Sequence, residues 1–475
     1  MIRKVSLFLG ALLLGQLSFA KQVDEQSAKT IGYNFMKSEG IQADASQMVL
    51  AYKATSVVNG IAVTDLYVFN TGNTGFVMVS GEDNVIPVLG YSTEAAFRGD
   101  RIPGSVSDWL ENYKKQINYV IEKNIQGGEQ TAAQWSELKQ GVNVSRAQKT
   151  SGSGVVSPLM RTLWDQEPYY NALCPYDYSV DSNAVTGCVA TAMAQVMKYW
   201  NWPTTGAGSN SYSSPYGILS ANFGATTYMW DSMPNSVTKK NNFVATLMLH
   251  TGVSVNMDYG VSESGAFVNT ASSPSKNCAQ YALVNYFKYK STMQGTPRSA
   301  LSDSAWVKLL KSEADNKRPS IYTGYGNVGG HCFVCDGYTT GDRMHINWGW
   351  SGAYNGFFVF YDLVPGGSTF NDDQTLLYDI TPDNDPAILG VTEVAASGIN
   401  IYPNPAQSVI NISLQGQAVT KINITDMQGR VLKTITPATN ATLVTVSVND
   451  LAEGMYLVSL QSAQGTETRR IVVAN

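Results

Sequence analysis

The side chains able to do covalent or acid–base chemistry are few and gathered: five cysteines and three histidines, all between Cys174 and His345 of a 475-residue chain. Cys188 follows Gly187 in "VTGCVATAMAQVMKYW". Val189, Ala192, Met193, Val196, Met197 and Trp200 then recur at three- and four-residue spacing, which predicts a helix with one buried stripe. A thiolate attacks carbonyls far better than a thiol, so a reactive cysteine needs a lowered pKa and a base at hand. The unpaired N–H groups of a first helical turn favour the thiolate, and the Cys188 N–H can help hold an oxyanion. The alternative is a buried small hydrophobe, the commonest fate of a free cysteine.

The base must be His250, His331 or His345. His250 follows the apolar run "FVATLML" and reads as a structural residue at a helix end. His331 follows two glycines in "TGYGNVGGHCFVCDG" and precedes a strand-like run, so the backbone is permissive before the ring and rigid beyond it. In "MHINWGWSGAYNGFF", period two puts His345 and Asn347 on one face and Ile346 and Trp348 on the other. Asn347 is a candidate to accept the His331 ring N–H and fix its tautomer. The competing reading of that stretch is a core strand ending in a tight glycine turn. Cys332 and Cys335 make a C-x-x-C beside His331, but alternation sends them to opposite faces, which argues against a shared metal ion or a mutual bond. No metal or other cofactor is expected. Cys174 and Cys278 receive no role, because connectivity does not follow from sequence.

These residues need a scaffold, and the length implies about three domains. "MIRKVSLFLGALLLGQLSFA" carries Arg3 and Lys4, an apolar run and small residues at Ser18 and Ala20, the pattern of a secretory signal over 1–20. Residues 21–150 open with a helical pattern and continue with a hairpin signal in "LYVFNTGNTGFVMVSG". A second helix follows in "SVSDWLENYKKQINYVIEKNIQ", with Ser105 or Ser107 as its cap, so the unit reads as a small α+β domain. "GVNVSRAQKTSGSG" loses apolar periodicity and reads as an exposed, cleavable linker. All the cysteines and histidines fall in the middle domain, 151–382. A second linker covers 383–398, and 399–475 holds about seven short alternating strands, the pattern of a small β-sandwich.

The net charge of −5 comes without basic clusters, so no nucleic-acid partner is expected. Nor does any later stretch have the roughly 18 unbroken apolar residues of a membrane span. An exported chain puts its cysteines in an oxidising place. The odd cysteine count leaves at least one thiol unpaired if all bonds are internal.

In order, "TGCVATAMAQVMKYW", "GVSVNMDYG", "GNVGGHCFVCDGY" and "HINWGWSG" closely resemble the streptopain family of papain-like cysteine peptidases. That resemblance implies an α+β fold with a helical subdomain and an antiparallel β subdomain. It implies a secreted endopeptidase made as a zymogen, acting on protein or peptide substrates with a bulky apolar residue two places before the cut. Carried over, Cys188 is the nucleophile, His331 the general base and acid, and Asn347 and Trp348 the pair that orients and shields the histidine. "LYVFNTGNTGFVMVSGEDNVIPVLGYS" is similar to the streptopain propeptide, implying an intramolecular inhibitory prodomain over 21–150. Two positions depart from the pattern: Ser182 stands where papain has its oxyanion glutamine, and Thr323 replaces a glutamine expected upstream of the GGH turn. The tail, with "IYPNPAQSVINI" and "LAEGMYLVSL", resembles sorting domains read by type nine secretion machinery. This implies a secreted or surface-attached protein exported through the periplasm. The rival reading is a secreted binding protein or adhesin that keeps the fold without turnover.

Overall fold

A computed structural model of the chain describes residues 22–40, 45–141, 154–270, 275–326, 329–361, 363, 374–383, 400–403, 406–414, 418–426, 430–439, 441–462 and 465–473. The expected signal segment and the two expected linkers fall almost wholly outside those residues. The chain divides into two units, Met1–Asp383 and Asn384–Asn475.

In the first unit, α1 (Glu25–Ser38) starts where the Asp24 carboxylate accepts from the Ser27 N–H at 2.9 Å, an N-cap. Its buried stripe, Ala28, Ile31 and Phe35, lies on a sheet begun by β1 (Met48–Val58) and β2 (Ile61–Thr71). These strands are joined by Asn59-Gly60, both at positive φ, as a two-residue hairpin turn requires. β2 pairs with β3 (Phe76–Ser80), forming the expected second hairpin, and β3 pairs with β4 (Val88–Ser92). α2 (Gly104–Lys123) and α3 (Glu129–Gln140) follow. The N-cap of α2 is Pro103, with no side-chain cap, rather than a serine.

A two-stranded ladder, β5 (Tyr176–Asp177) with β6 (Ser182–Asn183), precedes α4 (Cys188–Trp200). The hairpin of β7 (Ser209–Ser214) and β8 (Gly217–Asn222) comes next. α5 (Asn242–Ser254) and α6 (Ala279–Asn285) pack with α4 around Met193, Val196, Leu247 and Leu283. The rest of the unit supplies β9 (Gln294–Pro297), α7 (Asp303–Asp315), β10 (Ser320–Gly326), β11 (Gly329–Thr339), β12 (Arg343–Asn347), β13 (Gly356–Val359) and β14 (Thr375–Tyr378).

One sheet joins the N-terminal region to the rest of the unit. Its ten antiparallel strands run β1-β2-β3-β4-β13-β12-β11-β10-β14-β9, so the N-terminal strands and the later ones form one surface. The seam is β4 on β13, with Tyr91 opposite Phe357 and Gly90 opposite Phe358. Gly90 permits that approach, since a Cβ there would stand 2.8 Å from the Phe358 ring. Tyr91 and Phe357 stack with centroids 5.4 Å apart.

The second unit pairs β15 (Asn400–Tyr402), β16 (Val409–Ser413) and β19 (Leu443–Ser447) in one sheet. A second sheet holds β17 (Val419–Thr425), β18 (Val431–Ile435), β20 (Gly454–Ser462) and β21 (Gly465–Val473). Ile410, Ile412, Ile422, Ile424, Val458 and Ile471 fill the core of this unit. Alternating strands sealing one apolar layer are what the sequence pattern requires of a sandwich.

Candidate active site

Cys188 is the first residue of α4, as its sequence context predicts. Gly187 caps the helix at φ 84°, a conformation open to glycine, and a Cβ there would meet the Met257 sulfur at 2.8 Å. Below it, the Thr191 hydroxyl donates to the Gly187 carbonyl at 3.0 Å and shares a 2.8 Å hydrogen bond with Thr186. The cysteine is half-buried. Burial pushes its thiol up, against the N–H groups of Cys332, Val189 and Cys188 itself, which favour the charged form.

Strand alternation then divides the remaining candidates between the two faces of the sheet. On β11, Cys332 and Val334 join the core around α4, whereas Phe333 and Cys335 join the core on the α2 side. His331 belongs to the second set, and its Nε2 lies 3.1 Å from Asp108 Oδ2 of α2. Burial pushes the imidazole down, while Asp108 and then Glu263 hold it partly up.

On β12 the order is reversed. Asn347 faces α4, where its Oδ1 accepts from Gln195 Nε2 at 3.2 Å and from the Gly349 N–H at 3.1 Å. Its Nδ2 donates to the Thr162 carbonyl at 2.8 Å. Trp348 lies on the α2 side, against Phe333 at 4.7 Å and Trp109 of α2 at 5.9 Å between centroids. Cys188 and Asn347 therefore share one face, and His331 and Trp348 the other. In this form His331 bonds to Asp108, and Asn347 to Gln195, Gly349 and Thr162.

Helix α2 does more than bond one ring. Trp109 inserts among Tyr322, Phe333, Trp348 and Phe360. Ser105 accepts from Trp350 Nε1 at 3.0 Å, and Tyr113 donates to the Val359 carbonyl at 2.9 Å. Ser105, read as a helix cap, is spent on this contact instead.

His250, on α5, shares a 3.0 Å hydrogen bond with the Tyr228 hydroxyl, and burial pushes it down to about 4, so it is a neutral structural residue. Cys174, Cys188, Cys332 and Cys335 carry free thiols, and Cys278 donates to the Ser275 carbonyl at 3.2 Å. Cys332 and Cys335 occupy opposite faces. Among the described residues, no three His, Cys, Asp or Glu side chains are placed to hold a metal.

His345 has a role the sequence did not suggest. Its Nδ1 lies 2.5 Å from Asp336 and its Nε2 2.7 Å from Glu94, which belongs to the N-terminal region, so the ring bridges the seam. Burial pushes the imidazole down, but Asp336 and Glu94 outweigh it and raise it from 6.5 to about 9. A raised histidine pKa stabilises the fold most fully below 6.5, and that contribution is lost as pH rises through about 9. The thermal midpoint of the full chain should therefore fall between about pH 7 and pH 10, and fall less steeply in Glu94→Gln. Identical slopes for the two proteins would remove His345 as the titrating group.

A cysteine at the head of a buried helix, facing a histidine-bearing antiparallel sheet, is the architecture of a papain-like cysteine peptidase, here with a prodomain strand-paired to it. Over 422 aligned residues the chain is 30% identical to streptopain of Streptococcus pyogenes, covering 80% of this chain and 98% of streptopain. The chain belongs to the Peptidase C10 family, whose pattern residues 164–358 match, and is a cysteine peptidase. Residues 20–117 match the Spi protease inhibitor, and 400–474 match the secretion system C-terminal sorting domain, so the protein is secreted or held at the cell surface. It is 27% identical over 416 residues to the thiol protease/hemagglutinin PrtT of Porphyromonas gingivalis, spanning 45% of that longer protein. Among solved structures, a mutant fragment of Prevotella intermedia prointerpain A aligns with TM-score 0.55 at 29% identity, covering 70% of this chain and 98% of the fragment. No helix among the described residues is long and apolar enough to cross a membrane.

Proposed function

We propose that the chain is the zymogen of a secreted endopeptidase in which Cys188 is the nucleophile and His331 its base and acid. The hydrogen bond between Asp108 of the prodomain helix and His331 carries this reading, since it keeps the imidazole from the thiol in the latent form. Cleavage between about residues 142 and 156 and loss of α2 then free the ring to cross to the Cys188 face. There Cys188 transfers its proton to His331, and the thiolate attacks the peptide carbonyl. His331 returns the proton to the leaving amine, and water hydrolyses the acyl-enzyme. In that form Asn347 orients the imidazole and Trp348 shields it. The preference for a bulky apolar residue two places before the cut belongs to the same reading.

The oxyanion needs a second donor beside the Cys188 N–H, and Ser182 lies on the β5–β6 ladder with its hydroxyl bonded to Asn183. Gln166 is the better candidate. Its carbonyl accepts from the Thr186 N–H at 3.3 Å, which sets it beside the approach to Cys188. The residue is itself buried. Gln166→Ala should lower kcat about 10²–10³-fold with little change in KM, the scale of a lost oxyanion donor. An unchanged kcat assigns the donor elsewhere.

The nucleophile is tested by incubating the full chain with an epoxide thiol inhibitor after self-processing. The label should map to Cys188 by peptide mass and abolish casein hydrolysis. Labelling confined to another cysteine, with the loss of activity following it, overturns the assignment. A chain that cleaves neither casein nor itself, and takes no label, is instead the non-catalytic binding protein.

A further inference from the structure

In that mechanism Asn347 orients the imidazole, and a buried ring of hydrogen bonds orients Asn347. Cys188, Thr191 and Gln195 are spaced i, i+3 and i+7 along α4, so they share one face of the helix. The turn after β12 packs on that face: a Cβ on Gly349, whose φ is 74°, would stand 3.1 Å from Thr191 Cγ2 and 3.7 Å from Gln195 Nε2. Gln195 is 1% exposed, and its Nε2 donates to Asn347 Oδ1 at 3.2 Å. Its Oε1 accepts from the Thr162 hydroxyl at 2.8 Å, and the Thr162 carbonyl accepts from Asn347 Nδ2 at 2.8 Å, which closes the ring. Thr162 and Asn347 are buried with it.

The ring gives each amide one orientation. The Thr162 carbonyl only accepts and the Gly349 N–H, 3.1 Å from Asn347 Oδ1, only donates, so turning the Asn347 amide over would set oxygen against oxygen and N–H against N–H. With Asn347 so fixed, turning Gln195 over would put its own oxygen on Asn347 Oδ1. An apolar side chain at 195 would leave the Thr162 hydroxyl and Asn347 Oδ1 each short of a partner in a buried place. We propose that Gln195 is a positioning residue of the peptidase reaction: from the helix that carries Cys188 it fixes the plane and place of the Asn347 carboxamide, and through it the imidazole of His331 once that ring has crossed. Gln195 acts on no reacting atom itself. The inference rests on the reading of Asn347 as the orienting residue and names what holds it.

The test uses the full-length chain after self-processing and measures kcat and KM on a casein peptide across pH. Gln195→Glu is nearly isosteric. Ionised, it presents Asn347 Oδ1 with a second acceptor; protonated, it presents a donor again. Its kcat relative to wild type should be highest near about pH 5 and fall on the order of 10²-fold by about pH 9, with KM changed less than about two-fold. Its activity in acid is its own control for folding. Gln195→Leu should lose about 10²-fold in kcat at every pH, but less than about two-fold in an Asn347→Ala background, because the effect passes through Asn347. Thr162→Val keeps the backbone carbonyl and the side-chain volume, and should also lower kcat at constant KM. A Gln195→Glu enzyme whose kcat keeps a constant ratio to wild type across that range, or a Gln195→Leu loss undiminished without Asn347, overturns the inference. If Asn347→Ala alone leaves kcat unchanged, the reading of Asn347 fails and takes this inference with it; if Asn347→Ala lowers kcat and Gln195→Leu does not, the reading stands and only the inference fails.

Discussion

Cys188→Ala in the full-length chain should cut casein hydrolysis on the order of 10⁶-fold, the scale on which losing a covalent nucleophile acts, and should stop self-processing. The size follows from the chemistry: without the sulfur there is no acyl-enzyme, and water must attack an amide unaided. What the substitution leaves is equally informative. Alanine keeps the N–H at position 188, favours the helix, and removes one atom from a half-buried site. The thermal midpoint should therefore stay within a few degrees. His331→Ala should be comparably inactive but still react with a small thiol reagent at alkaline pH, because it removes the base and spares the sulfur. A Cys188→Ala protein that turns over casein at the wild-type rate places the nucleophile elsewhere.

Trp109→Ala should convert the latent chain into one that processes itself at least ten-fold faster, when followed by gel after dilution from denaturant or inhibitor. Its ring lies 4.9 Å from Phe360, 5.9 Å from Phe333 and Trp348, and 6.4 Å from Tyr322, centroid to centroid. Truncating a fully buried tryptophan costs about 3–5 kcal/mol, an upper bound for the half-buried Trp109. Two features bring the effect to the low end. The Trp109 and Trp348 indole N–H groups are both buried without a partner, and each such group carries a penalty of about 1–3 kcal/mol. The rest of α2 also stays anchored through Ser105, Asp108 and Tyr113. The same change in a Cys188→Ala background, probed with an added protease, separates looser docking from faster chemistry. If trapped and untrapped chains both keep wild-type protease resistance, the aromatic insertion is not what fastens the prodomain.

Local signals made the helix of Cys188 legible, because its apolar spacing, its glycine cap and its length all lie within sixteen residues of sequence. Period-two alternation likewise separated Cys332 from Cys335, and Asn347 from Trp348, on the correct faces. The same rule places His331 on the face of Cys335. Asp108, the hydrogen-bond partner of His331, lies 223 residues away, and no local pattern announces so distant a partner. His345 was legible as a face-mate of Asn347 and illegible as a bridge. Asp336 reaches it from the register shift between Cys335 and Gly337, and Glu94 is 251 residues off. Gln166, proposed as the second oxyanion donor, sits in an irregular segment, where neither period carries information.

The seam of β4 on β13 sets a constraint on timing. When the prodomain departs, β13 exchanges a strand neighbour for solvent, and its N–H and C=O groups, with Phe357 beside them, become a template for any extended chain. Crowded against other unfolded or half-exported chains, such an edge invites aggregation. Maturation is therefore safest at high dilution, after export, where few strands are at hand to complete the sheet.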